Sequence, residues 1–261
     1  MKCVLITGAC INTGVAIVEK FASMGCNVIF TGRYKEKVHE KEKEYKEKFP
    51  DVKFIGYPID SLLDARTVDE GAVEAMFEDI DRRGLFVDAL VLNAADQGLS
   101  QKIFENPLTD MMKVINTNVV WNYCLSEHAA KRMKDNGGGS IVFVNSNTAY
   151  RAIPDRIAYV ASKGGQLGLM RALALDLGKY NIRVNAVLPG MIKTDRWERN
   201  PEFYARVPSR FTPLGDVAVG EDIADAVYYF AAHARNTTGA ELVVDGGNTV
   251  QLYPIIPKEF G

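Results

Sequence analysis

The sequence predicts one α/β domain: a parallel sheet of about seven strands, doubly wound, with helices on both faces. Two observations carry this prediction. Short apolar runs alternate from end to end with stretches of helical periodicity, the pattern of repeated strand–helix–strand units. Glycine-bearing and polar motifs then follow the strands, where the ligand crevice of such a sheet opens beyond their carboxyl ends. The 261 residues suffice for one large core without disulfides or metals.

Taken in order, residues 3–7 form a continuous apolar run of the kind buried on both faces of a parallel sheet. A turn at 8–14 leads into a helix at 15–24, and a second strand follows at 27–31. Residues 35–49, KEKVHEKEKEYKEKF, interleave Lys and Glu at i,i+4 spacing. This reads as a solvated helix face, and the interleaved acids argue against a nucleic-acid patch. Further strands are predicted at 53–59, 89–93, 141–146, 183–188 and 240–245, and further helices at 72–82, 111–134, 157–180 and 220–233. Residues 60–70 form a polar connection with room for a small insertion.

Composition excludes several classes of function. The formal net charge of -2, with 25% charged and 47% hydrophobic residues, gives no nucleic-acid footprint and no membrane-seeking surface. Cys3, Cys10, Cys26 and Cys124 are scattered with no CxxC pair, which predicts buried free thiols, a reducing compartment and no metal. The first strand begins at residue 3, leaving no room for a leader, and no apolar run approaches the ~20 residues of a spanning helix. The expectation is a soluble, cytoplasmic chain with a small-molecule substrate and no nucleic-acid or membrane partner.

Thr7–Gly14, TGACINTG, joins a strand to a helix. Glycines there let backbone approach a pyrophosphate, and the helix start offers free N–H groups and a positive dipole end. A plain punctuating turn is the alternative. The second strand ends Thr31-Gly32-Arg33. No acid is present at Gly32 to accept a ribose 2′-OH, whereas Arg33 can pair with a 2′-phosphate, reinforced by Lys35 and Lys37. This favours NADP(H), with NAD(H) as the alternative.

Tyr159-Val160-Ala161-Ser162-Lys163 puts a phenol and an amine on one helix face, with Cβ atoms ~5–6 Å apart. A free Tyr titrates near ~10, too high for acid–base work near neutrality. A nearby ammonium that lowered it by ~2–3 units would supply ~3–4 kcal/mol of differential interaction. A chance pairing, with Tyr at the core edge and Lys snorkelling, is the bland alternative. Ser146 lies thirteen residues before Tyr159 at a strand end, and Asn118 lies twenty-eight before Ser146.

In this order and spacing the chain resembles the short-chain dehydrogenase/reductase family, whose Rossmann-type fold carries an Asn–Ser–Tyr–Lys tetrad. The likeness runs from about residue 2 to 248. The loop at 7–14 resembles the family's TGxxxGxG, with Asn12 in place of the middle glycine; Asn best tolerates positive φ among non-glycine residues. Leu92-Asn93-Ala94-Ala95 resembles NNAG, matching at Asn93 and Ala94. Pro189-Gly190 through Thr194 resembles the PG segment, and Val244-Asp245-Gly246-Gly247 the closing motif.

The resemblance implies that Tyr159 is the general acid/base, that Lys163 tunes it and holds ribose hydroxyls, and that Ser146 hydrogen-bonds the substrate oxygen. Asn118 would bend its helix and hold a water linked to Lys163, with Asn116 the competing candidate. Gly8, Asn12, Thr13, Gly14, Arg33, Asp60, Ser61, Asn93, Ile192 and Thr194 would line the cofactor, Asp60 and Ser61 beside the adenine. A turn-capping Asp is the alternative for Asp60. The two long helices resemble the family's subunit interface, so a homo-oligomer, tetramer or dimer, is expected.

Residues 195–215 are expected to form a substrate lid. Trp197, Phe203, Tyr204 and Phe211 there suggest an apolar ring substrate, while Arg196, Arg199, Arg206 and Arg210, with Arg151 beyond Ser146, could meet an anion. The apolar tail at 249–261 is expected to pack on a neighbouring subunit. The reaction expected is reversible hydride transfer between nicotinamide and a ketone or secondary alcohol. Hydroxysteroid-like rings rank ahead of acyl-carrier β-ketones and sugar alcohols. The enoyl-reductase branch, with a longer Tyr–Lys spacing, fits less well. A silent cofactor-binding regulator would have no reason to keep Ser146, Tyr159 and Lys163 together.

Overall fold

In the computed structural model, residues 1–199, 201–202 and 208–254 are described. The apolar runs become strands because only a sheet covered on both faces satisfies such segments. They are β1 (Cys3–Ile6), β2 (Asn27–Gly32), β3 (Phe54–Pro58), β6 (Ala89–Leu92), β7 (Gly139–Val144), β8 (Ile182–Pro189) and β9 (Glu241–Val244). All pair in parallel, in the order β3-β2-β1-β6-β7-β8-β9. The winding reverses between β1 and β6, the switch point where a crevice opens.

Each face has its own core. On one side α1 (Asn12–Ser23), α2 (Lys35–Lys48) and a helix over Gly220–Tyr228 bury Ile17, Phe21, Tyr45 and Val227 against Val4, Phe30 and Val91. On the other, α3 (Glu70–Arg82), α5 (Trp121–Asp135) and α6 (Ile157–Leu177) bury Phe77, Leu125 and Met170 against Leu5, Leu90 and Phe143. No helix among the described residues is long and apolar enough to cross a membrane.

Three local features differ from the sequence expectation. The helix expected at 111–134 begins earlier, as α4 (Leu108–Ile115), and meets α5 through a wider π-turn at Asn116–Val120. Such a turn breaks the i→i−4 ladder and frees backbone carbonyls to face sideways. Residues 60–70 are not an irregular connection but a small antiparallel hairpin, β4 (Leu62–Asp64) and β5 (Thr67–Val68), closed by Asp64 accepting from Arg66 N at 2.7 Å. The helix from Gly220 ends in a second π-turn, Tyr229–His233. The Arg183 guanidinium satisfies its freed carbonyls, donating to Phe230, Ala231 and Ala234 at 2.6–2.9 Å.

Candidate active site

The switch point is tied shut behind the loop. Thr7 Oγ1 accepts from the backbone N–H of Asn93 and Ala94, each at 3.0 Å. Asn93 Nδ2 donates to the carbonyls of Thr7 and Gly8 at 3.1 and 3.0 Å. A Cβ on Gly14 would stand 2.2 Å from Gly8 O, so the turn closes only with glycine there. Asn12 sits at φ 46, the left-handed conformation that Asn tolerates best after glycine. Tyr45, at the centre of the charged α2 sequence, is fully buried and its hydroxyl donates to Ala9 O at 2.7 Å. A side chain hidden in a solvated helix thus fixes the loop from behind.

In front of the loop lies a cleft of about 450 Å³, bounded by Gly8, residues 10 to 14, Thr31–Tyr34, Lys37, Ser61, Asn93, Thr117, Trp121 and Tyr159. Its features fit a dinucleotide. The start of α1 opens there with no side-chain cap and no acid in its first turn, leaving donors for an anion. Trp121 lines the same cleft, and its buried indole N–H has no acceptor among the described residues. At the rim stand Arg33, Tyr34 and Lys37. Gly32 cannot be replaced by an acid without collision, since its Cβ would lie 2.5 Å from Cys10 Sγ and 2.8 Å from Val38. Ser61 reaches the cleft, its hydroxyl bonded to Thr117 at 3.2 Å. Asp60 is not among the lining residues; its carboxylate turns to Arg33 Nε, 3.5 Å away.

On the facing wall Tyr159 is half-buried and lines the cleft, while Ser162, Lys163 and Gln166 of α6 turn inward and are completely enclosed. Ser146, in extended backbone just past β7, accepts from Thr148 N and Thr148 Oγ1 at 3.2 and 3.0 Å. Both acceptor positions of its hydroxyl are thereby filled, which leaves its proton to donate toward the Tyr159 phenol oxygen. Asn118 lies in the π-turn. Its side chain accepts from Asp96 N (2.7 Å) and donates to Asp96 O (2.8 Å) and Ser162 Oγ (2.9 Å). Asn116 instead donates to Ala65 O beside the hairpin.

A side chain bridges Lys163 and Asn118. Gln166 Oε1 accepts from Lys163 Nζ at 3.1 Å, and Gln166 Nε2 donates to Asn118 O at 2.7 Å. Lys163 Nζ also donates to Val144 O at 3.0 Å, and Asn145 Nδ2 braces both Lys163 O and Gln166 Oε1. Both members of the expected acid–base pair are shifted toward their neutral forms. Burial pushes the Lys163 amine down to about 7, since neither of its partners is a carboxylate. Burial likewise pushes the Tyr159 phenol up, opposed by the Ser146 hydroxyl and by the charge of Arg156. The amine stands 5.6 Å from the centre of the phenol ring.

Ile192 bridges to Ala218, and Lys193 N donates to Ala218 O at 2.8 Å. This turns Thr194 to a smaller pocket of about 290 Å³ shared with Asn12 and Thr13, behind the glycine loop. Of the lid, Asp195–Arg199 and Pro208–Phe211 are helical, with Trp197 half-buried and Phe211 exposed. Phe203, Tyr204 and Arg206 lie outside the described residues.

Among the groups now in view, Tyr45, Trp121, Asn145 and Gln166 escaped the sequence reading. Only Gln166 left a trace there, as a polar residue one turn from Lys163 on the apolar face of α6.

A glycine-closed crevice at a sheet's switch point, faced by a tyrosine with a buried lysine one turn on, defines a dinucleotide-dependent oxidoreductase domain. A family model described as "Enoyl-(Acyl carrier protein) reductase" matches residues 8–249. The chain is 36% identical over 249 residues to a 3alpha-hydroxysteroid dehydrogenase of Mediterraneibacter gnavus, covering 94% of this chain and 96% of that protein. Its fold is similar to that of ElxO with NADP bound (TM-score 0.84, 29% identity, 96% and 99% of the two chains). It is also similar to that of a 7 alpha-hydroxysteroid dehydrogenase complexed with NADH and 7-oxo glycochenodeoxycholic acid (TM-score 0.83, 30% identity, 94% and 93%). The chain belongs to the short-chain dehydrogenase/reductase family.

Proposed function

We propose that this protein interconverts a ketone and a secondary alcohol on an apolar ring substrate of hydroxysteroid type, with NADP(H) preferred over NAD(H). The observation that carries the reading is Tyr159, which lines the same cleft as the glycine loop and whose phenol meets the Ser146 hydroxyl. The cofactor would be held by Gly8, Asn12, Thr13 and Gly14 at its phosphates, by Arg33 at a 2′-phosphate, and by Ser61, Thr117 and Trp121 at the adenosine end. When bound it supplies the hydride.

The chain's own residues supply the rest. Ser146 donates to the substrate oxygen and fixes its pose. Tyr159 gives that oxygen its proton on reduction and takes it back on oxidation, Lys163 holding positive charge nearby when protonated. With the amine near neutrality and the phenol pushed up, Tyr159 rests protonated, the form needed for reduction.

The NADP(H) preference rests on the absence of any acid at Gly32, on Arg33 and Lys37 at the rim, and on the likeness to an NADP-bound relative. The steroid class rests on the dehydrogenase relatives named above and on the aromatic residues Trp197 and Phe211 in the segment that follows β8. The four-residue Tyr–Lys spacing disfavours enoyl reduction. We further propose a homo-oligomer in which the apolar tail meets a second subunit.

The test is absorbance of reduced cofactor across a panel of 3-, 7- and 12-oxo steroids, β-ketoacyl thioesters and ketoses, with NADPH and NADH. Turnover of an oxo steroid with NADPH is the expected result. Oxidation of NADPH by no ketone would overturn the enzymatic reading, and faster turnover of thioesters or ketoses would overturn the substrate class.

A further inference from the structure

On the face of the sheet covered by α3 and α5, away from the cleft, one side-chain cluster has no part in the proposed chemistry. Cys124 and His128 lie one turn apart on α5 and share a face. Glu70, 54 residues earlier, is the first residue of α3. One ligand atom from each of the three lies within 4.8 Å of the others. Cys124 and His128 are each only 8% exposed. A thiol, an imidazole nitrogen and a carboxylate oxygen thus converge on one point from two helices, a set of donor atoms that suits a metal ion.

We infer that Glu70, Cys124 and His128 bind one divalent cation of zinc type, which ties the start of α3 to the middle of α5. The donor set is the sulfur, nitrogen and oxygen mixture that zinc accepts, leaving the fourth tetrahedral position to water. Thiolate and carboxylate together neutralise a dication. On binding, the metal–sulfur bond replaces the thiol S–H bond, and the proton leaves to solvent.

The surroundings suit this occupant. The His128 ring stacks on Phe77 at 5.7 Å and 15°, which fixes its plane. Arg132, one turn further on, spends its charge on Asp81 at 2.6–3.0 Å and does not oppose a cation. Bond lengths of ~2.0–2.3 Å bring tetrahedral ligands to roughly 3.5 Å from one another, so the site must tighten. Glu70, exposed at a helix start, is the side chain free to move.

The full chain, stripped with a chelator, is titrated with Co²⁺ as the spectroscopic probe. One equivalent is expected to give a thiolate-to-cobalt charge-transfer band in the near ultraviolet, abolished by excess Zn²⁺ and lost in Cys124→Ser. Glu70→Gln, an exposed change that spares the fold, is expected to weaken Co²⁺ binding at least tenfold and to remove the rise in Tm that Zn²⁺ gives the parent protein. No charge-transfer band, or a band that survives Cys124→Ser at full intensity, overturns the inference. So does a Zn²⁺-induced rise in Tm that is equal in Glu70→Gln and the parent. None of these readouts depends on turnover of any ketone.

Discussion

Around Tyr159 the polar side chains are buried and bonded to one another, whereas around Arg33 they stand in solvent with one loose partner. Lys163, Gln166, Asn145 and Asn118 are between 0% and 4% exposed and linked by bonds of 2.7–3.3 Å. The Arg33 and Asp60 side chains are 44% and 49% exposed and 3.5 Å apart. A satisfied buried network holds one geometry, because each misplaced group would lose a partner that water cannot replace. An exposed ion pair is worth little and rearranges readily. The chemistry is therefore preorganised at one end of the cleft, while the end that selects a cofactor is open to change.

The largest effect should come from the rigid end. Tyr159→Phe removes the one proton donor that lines the cleft beside Ser146, and kcat should fall about 10²–10⁴-fold. NADPH affinity, read by cofactor fluorescence, should change by less than threefold. Retention of more than a tenth of the activity would mean that another group moves the proton.

At the open end, Arg33→Ala should raise the Kd for NADPH about 10–100-fold, the worth of a charge-assisted hydrogen bond of ~1.5–3 kcal/mol, and leave NADH nearly unaffected. Equal losses for both cofactors would show that Arg33 does not meet a 2′-phosphate.

Much of this comparison was legible beforehand, and the reasons are physical. Strands buried on both faces announce themselves as unbroken apolar runs, as β1, β2, β6, β7 and β8 do, while the partly exposed edge strands β3 and β9 show through their place in the alternation. Tyr159 and Lys163 are legible because helical spacing alone puts them on one face. The π-turn at Asn116–Val120 is not, since one residue added to a turn leaves the surrounding periodicity almost intact. The pairing of Asp60 with Arg33 is not legible either, because the side of the backbone that Asp60 takes depends on register at the end of β3. Tyr45 and Gln166 are hidden for a common reason. Their partners, Ala9 O and Asn118 O, lie 36 and 48 residues away in sequence, and no local pattern records such a bond.

Gln166 gives a sharper test of the rigid end. Its carboxamide oxygen is the sole side-chain acceptor of Lys163 Nζ among the bonds described. Gln166→Glu places a carboxylate there, which favours the ammonium and raises the amine from about 7. Gln166→Leu withdraws the acceptor and lowers it. The pH midpoint of alcohol oxidation should therefore move down in the first and up in the second, by about one unit each. A purely structural role would lower Tm in both and move neither midpoint. Stability carries the same signature. Between about 7 and the ordinary lysine value of 10.5 the unfolded chain holds a proton that folded Lys163 lacks. This group's contribution to stability therefore rises with pH across that window, and it reaches its full cost below 7. Lys163→Met should remove that slope, measured as the difference in urea midpoint from the parent between pH 7 and 9.5.

The smallest effect is expected where the chain is least enclosed. Arg151 Nη1 donates to Gln251 O, and Gln251 Nε2 donates to Arg210 O at 3.1 Å, so the start of the tail is pinned through polar groups. Its apolar side chains turn outward: Val250, Leu252 and Tyr253 are 85%, 78% and 76% exposed. Residues 255–261 lie outside the described residues. Apolar side chains held out in this way gain by burial against a second copy of the chain. Partial burial of three of them is worth on the order of 1–2 kcal/mol, since each fully buried one contributes ~1.5–3. Truncation after Asn248 should therefore weaken self-association about tenfold, seen by sedimentation velocity as a shift of the assembly equilibrium toward smaller species. The cleft and the network behind Tyr159 lie upstream of the cut, so NADPH binding should be unchanged. An identical sedimentation profile would place the subunit contact elsewhere and leave the tail as a surface segment.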